Sequence, residues 1–173
     1  MHGATGAITL LTDAAALARA DPDAITALVE RSTRSTYYRD GMTAEQHDAV
    51  ARIVAISAES CARAAGADAQ LFVAAFDGDI LAGFVIATRH APDNLELDWM
   101  MVGPDHQGRG IAGLLMNAGL DWLGRDKPIW LNVIAHNDRA QAFYRRFGFA
   151  VDPETPLDRI VPQVSMRRPA EMA

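Results

Sequence analysis

Apolar residues recur along this chain with two different periods, and the switching between them predicts its elements. Ile8 to Leu11 is a short apolar run that predicts a first strand, and an alanine-rich stretch follows from Asp13. Ile25, Leu28, Val29 and Ser32 then fall at helical spacing, with Asp23 as the candidate cap. Val50, Ile53, Val54, Ser57 and Cys61 repeat that spacing in a second helix, bounded by Thr43 as N-cap and Gly66 as stop. Leu71 to Phe76 and Ile80 to Thr88 predict a hairpin joined by Asp77-Gly78-Asp79. A strand from Leu95 to Val102 precedes a helix whose Ile111, Leu114, Leu115, Ala118 and Trp122 mark one buried face. A strand over Pro128 to Ala135, a helix carrying Tyr144 and a closing strand at Val164 to Met166 complete the pattern.

This order predicts one α/β domain over residues 1–173, with 1–7 and 169–173 as loose termini. A chain of 173 residues can bury one substantial core. Hydrophobic residues make up 50%, yet no run approaches the roughly 18 needed to span a membrane. The opening Met1 to Gly6 lacks the basic start and apolar middle of a signal peptide. Cys61 is the single cysteine, which excludes an internal disulfide framework and fits a reducing, cytoplasmic setting. A net charge of −6 argues against non-specific nucleic-acid binding and is compatible with cationic substrates. A homodimer is left open.

The chemistry concentrates at Gln107-Gly108-Arg109-Gly110-Ile111-Ala112, between the 95–102 strand and the helix after it. The first turn of that helix has free backbone N–H groups, and the glycines let a ligand approach the main chain. Such a site suits a pyrophosphate, since each charge near a helix N-terminus gains roughly 0.3–1 kcal/mol from the dipole. Gly108-Arg-Gly110-Ile-Ala-Gly113 also fits the dinucleotide fingerprint, but Gly103 to Gln107 intervene between strand and first glycine. Pro128 to Val133, about 20 residues on, holds no acid for a ribose.

Gln107-x-x-Gly110-x-Ala112 instead resembles the pyrophosphate loop Q/R-x-x-G-x-G/A of the GNAT superfamily of N-acetyltransferases. Asn137, Ala140, Phe143, Tyr144, Gly148 and Phe149 match its second signature, N-x-x-A-x-x-F-Y-x-x-x-G-F. The motif-bearing resemblance covers Leu95 to Phe149. It implies a GNAT-like fold, a mixed and mostly antiparallel sheet with helices on both faces. It also implies acetyl transfer from acetyl-CoA to the amine of a small molecule or peptide by direct attack, without a metal. A non-catalytic acyl-CoA sensor is the alternative.

The resemblance assigns the cofactor to Gln107, Gly108, Arg109, Gly110, Ile111 and Ala112. The pantetheine arm falls to the main chain of Met100, Met101 and Val102. Asn137 would touch that arm, cap the following helix, or do both. Arg109 either adds charge to the phosphate site or is solvated. A lysine-like amine with a pKa of about 10.4 is about one part in 2,500 neutral at pH 7, so deprotonation costs about 4.6 kcal/mol.

Strand alternation puts Glu96, Asp98, Met100 and Val102 on one face, opposite Leu95, Leu97, Trp99 and Met101. Two carboxylates on one face raise each other's pKa, as burial does, toward the range a general base needs. By the resemblance Glu96 aligns with the general base of some members, and Asp98 with an acceptor-binding acid of others. The competing reading is a solvated strand face. Tyr144 aligns with the residue that meets the departing thiolate; otherwise it is core, since Ala140, Phe143 and Phe147 share its spacing. Tyr37 and Tyr38 are candidate walls of the acceptor pocket or helix-end packing. Arg34 and Arg39 would suit an acceptor carboxylate. His106 and His136 are expected in loops, and Cys61 as a buried structural thiol.

Overall fold

The computed structural model describes residues 6–157 and 159–172, without the side chains of 155–157. The expected loose ends at 1–5 and 173 lie outside the described residues. The chain runs β1 (Ile8–Thr12), α1 (Asp13–Arg19), α2 (Pro22–Thr36), α3 (Ala44–Ala65), β2 (Gln70–Asp77) and β3 (Ile80–Ala91). It continues through β4 (Asn94–Val102), a 3-10 turn (Pro104–His106), α4 (Ile111–Leu123), β5 (Ile129–Ile134), α5 (Asp138–Arg146), β6 (Ala150–Leu157) and β7 (Gln163–Arg168).

The helix boundaries have local causes. Thr43 and Gln46 form a reciprocal capping box at α3, each side chain taking the other residue's backbone N–H. For α2 the cap is Asp21 rather than the expected Asp23. Its carboxylate accepts the Ala24 N–H at 2.8 Å, and Pro22 occupies the first helical position, where a missing N–H costs nothing.

The seven strands form one sheet in the order β1-β2-β3-β4-β5-β7-β6. Among the described residues β4–β5 is the one parallel pair, and the other neighbours are antiparallel. Alternate β2 residues point to opposite layers. Leu71, Val73 and Ala75 join the core beneath α4 and α5, whereas Phe72, Ala74 and Phe76 pack under α1, α2 and α3. Helices on both faces cover a mixed, mostly antiparallel sheet, as the sequence implied.

The buried face of α4 is turned from the one expected. Leu114 is 45% exposed, and the face against the sheet is Ile111, Leu115, Met116, Gly119, Leu120 and Leu123. Gly119 permits this approach, because a Cβ there would stand 2.6 Å from Leu97 Cδ1. Gly119→Val is therefore expected to destabilise the fold by about 1–3 kcal/mol through overpacking. Chemical denaturation measures it, and wild-type stability would mean that Leu97 yields freely. No helix among the described residues is long and apolar enough to cross a membrane.

Candidate active site

Strands β4 and β5 hold together only briefly. Their pairing is Leu95 with Ile129 and Glu96 with Trp130, after which no further rung joins them. Beyond Glu96 the edge of β4 that faces β5 is therefore open, with main-chain groups available to a ligand laid along it. A cleft of about 920 Å³ occupies the gap. It reaches from Gln107, Gly108 and Gly110 at one end, past Met100, Met101 and Val102, to Tyr37, Glu96 and Asp98 at the other.

The Gly-rich turn has the form a phosphate site needs. Gly108 and Gly110 adopt φ of +79° and +77°, a region side chains disfavour. No side chain caps α4 at Gly110, so its first-turn N–H groups face the cleft mouth without a side-chain partner. Arg109 turns away. Its guanidinium pairs with Asp77 on β2 at 2.6 Å, and it does not line the cleft. That pairing holds the Asp77 carboxyl below its ordinary value, His106 at 3.3 Å adding to the effect. The cation on the cleft side of the turn is Arg139 of α5, which donates to Gln107 Oε1 at 2.6 Å. Nothing in the motif spacing marked Arg139, which enters because α5 crosses the same end of the sheet.

The regular alternation expected along β4 is interrupted. Val85 pairs with Met100 and Ile86 with Asp98, so Trp99 bulges out of the ladder. Trp99 has φ +37°, a strained value for a bulky residue, steadied by its N–H donating to Asp98 Oδ1 at 2.9 Å. Past the bulge the faces exchange. Met100 and Val102 pack with Leu95 and Leu97 toward α4, whereas Trp99 and Met101 lie on the α1–α3 side. The expected grouping of Met100 and Val102 with the two acids is thus corrected.

Glu96 and Asp98 both line the cleft. Burial, then the neighbouring charge of Glu96, pushes Asp98 up to about 6. Glu96 Oε2 lies 2.5 Å from His90 Nε2, on the last turn-ward residues of β3. Tyr37, the C-cap of α2, also lines the cleft, and burial followed by the charge of Asp98 raises its phenol. Tyr38 does not. It is 40% exposed and its ring meets His47 at 5.1 Å. Arg34 is occupied by Glu30 at 2.9 Å, and neither Arg34 nor Arg39 lines the cleft; Arg159 does.

Tyr144 projects from α5 into the same space, against Phe143 and Phe149. Burial, then Tyr37, raises its phenol above the ordinary value, so it stays protonated. Tyr144 also packs on the core with Ala140, Phe143 and Phe147, as its helical spacing predicts. Asn137 caps α5 by accepting the Ala140 N–H at 3.1 Å while lining the cleft. Asn132 on β5 was not singled out beforehand; it lines the cleft with a buried Oδ1 that no protein group satisfies. Cys61 is buried with its thiol pushed up to about 12, an inert group far from a nucleophile's range.

The model of the Acetyltransferase (GNAT) family matches residues 25–149. The chain belongs to the GNAT family. Streptothricin acetyltransferase of Streptomyces lavendulae is 38% identical to this GNAT chain over 97 residues, 53% of the chain and 50% of that relative. Mycothiol acetyltransferase of Thermobispora bispora is 35% identical over 107 residues, covering 62% of the chain and 32% of the relative. The chain thus spans half or less of the length of these two curated relatives. The PaiA N-acetyltransferase of Thermoplasma acidophilum, solved in complex with coenzyme A, shares the GNAT fold at a TM-score of 0.73. That likeness covers 94% of this chain and 99% of that one, at 19% identity. Among the described residues no group of three or more His, Cys, Asp or Glu is arranged to hold a metal ion.

Proposed function

We propose that the protein is an N-acetyltransferase that moves an acetyl group from acetyl-CoA to an amine. One observation carries this reading. The splayed β4–β5 cleft brings an uncapped glycine turn, an open strand edge, two carboxylates and a buried phenol into a single cavity. The residues fit acyl-CoA in order, with Gln107 to Ala112 taking the pyrophosphate. The main chain of Met100 to Val102 pairs with the pantetheine amides, and Asn137 borders the arm. When bound, acetyl-CoA supplies an activated thioester. The amine nitrogen forms the new bond to its carbonyl carbon, and the C–S bond breaks with its electron pair leaving on sulfur.

The chain's own residues supply the rest. Asp98 is the better base of the two acids, because a carboxylate near 6 accepts a proton yet is ionised at neutral pH. This reverses the order suggested by the motif, in which Glu96 came first. Tyr144 donates a hydrogen bond to the departing thiolate. Full proton transfer from a phenol raised above about 10 to a thiol near 8.5 runs uphill. Tyr37 and Asp98 form the acceptor end, which suits a cationic amine.

Tyr144→Phe is expected to keep acetyl-CoA affinity and to lower turnover about 10–1,000-fold, the range for one hydrogen bond to a developing anion. Unchanged turnover would leave Tyr144 as core alone. The function itself is tested by thiol release from acetyl-CoA across a panel of amines, amino acids and peptides. Streptothricin belongs in that panel because of the relative that bears its name. Release with at least one acceptor is expected; tight CoA binding without release on any acceptor points to a sensor instead.

A further inference from the structure

The two acids of β4 do not end at the cleft wall. His90 stands on β3 where the β3–β4 ladder slips, Arg89 pairing with Leu95 and Ala91 with Asn94, so that it is unpaired in the ladder. Its ring reaches the Glu96 carboxylate at 2.5 Å and lies over the Trp130 ring of β5, with centroids 5.9 Å apart and planes 17° apart. Trp130 is itself pinned, its indole N–H donating to Asn94 Oδ1 at 2.7 Å. The imidazole thereby presents its edge to the carboxylate. Exposure rises outward along this row, from 13% for the Glu96 side chain to 44% for His90.

The row addresses a difficulty of the reaction. Each turnover moves one proton from the amine nitrogen to Asp98, which must lose it before the next cycle. Asp98 sits deep beside Tyr37, and a seated acceptor and acyl donor would fill the cleft in front of it. The way out to solvent then runs sideways along the sheet face, toward the more exposed His90.

Resting on the acetyltransferase reading, we propose that His90 is the outlet of a proton relay that runs from Asp98 through Glu96 to bulk solvent. One proton leaves Asp98 for Glu96, on the same strand face, through a bridging water, and one passes from Glu96 to the imidazole. The ring then swings outward and releases that proton from Nε2 to solvent, returning with Nε2 free to accept the next, so no charge accumulates and nothing is oxidised. The titratable groups that face this row are Glu96 and Asp98 from β4 and Tyr37 from α2. Trp130 and Asn132, the β5 side chains on that face, do not titrate. His90 touches neither substrate, so it is a positioning and relay residue rather than a catalytic one.

The test uses the full chain with the best acceptor found in the amine panel. His90→Gln is expected to lower kcat about 10–100-fold with the KM for acetyl-CoA unchanged. Added imidazole should restore much of that loss in the variant and do nothing to the wild type. On a Glu96→Gln background, where the row is already cut, His90→Gln should have no further effect. Wild-type kcat for His90→Gln from pH 6 to 9 overturns the relay, as does a deficit that imidazole leaves untouched. Equal losses from His90→Gln with and without Glu96 also overturn it, because they mark a structural role. If His90→Gln does not fold by circular dichroism, His90→Asn takes its place in the same three measurements. Failure of the wild type itself to release thiol with any acceptor sinks the acetyltransferase reading, a result distinct from an active wild type with an indifferent His90.

Discussion

Gly110→Glu is expected to weaken acetyl-CoA binding about ten-thousandfold. Two effects add. Gly110 has φ +77°, where a side chain costs about 1–2 kcal/mol. The larger effect is charge. A carboxylate about 4 Å from a phosphate oxygen is repelled by about 4 kcal/mol at an effective dielectric near 20, almost three decades of affinity. Steric crowding within the protein contributes nothing, since a Cβ at Gly110 meets no atom within 4 Å. Gly110→Ala therefore separates the effects, losing only the backbone share. Titration calorimetry with circular dichroism as a check on folding measures both. Wild-type affinity in a folded Gly110→Glu protein would remove the phosphate from this turn.

Asp98→Asn is expected to combine the largest loss of activity with a gain in stability. The wild-type kcat/KM should climb with pH through about 6 as Asp98 becomes able to accept a proton. The variant should lose that ionisation and fall about 100–10,000-fold. The stability argument has the opposite sign. The folded carboxyl titrates near 6 and the unfolded one near 3.8, so folding binds this proton more tightly. Its contribution is fully present below about pH 3.8 and is lost as pH rises through about 6. At neutral pH the charged side chain then costs about 2 kcal/mol, allowing for partial contact with solvent. Asn carries no such cost, so thermal unfolding should show the variant ahead at pH 7 and level with the wild type near pH 4. A variant with the wild-type pH–rate profile would return the base to Glu96 or to solvent.

How far the sequence reveals this molecule depends on whether a feature is written in local pattern. Thr43 announces α3 because an N-cap is a local arrangement, closed here by Gln46 one turn on. The glycine turn and the Asn137 to Phe149 signature likewise sit within short stretches, and both border the cleft. The bulge at Trp99 left no mark, since Trp99-Met100-Met101-Val102 is an unbroken apolar run that reads the same in either register. A one-residue slip there reassigns Met100 to Val102 to new faces. β6 escaped notice because Ala150 to Leu157 carries two prolines and two acids, which a sheet tolerates only at an edge, where β6 lies. Arg109 and Arg139 show the same limit. Which arginine borders the cleft at the glycine turn depends on Asp77 being 32 residues from Arg109 in sequence and 2.6 Å away in space.

The gap between β4 and β5 has a consequence for motion. A sheet seven strands wide carries in its middle a row of amides with no partner across the cleft. In the free protein the Leu97 to Val102 segment should therefore exchange its cleft-facing amide hydrogens with solvent far faster than the neighbouring rungs of β2 and β3. A ligand laid along that edge supplies the missing rungs, so occupancy should be visible as slowed exchange confined to the two facing strand ends. The centre of this fold, usually the last part of a sheet to open, is here the part that waits for its partner.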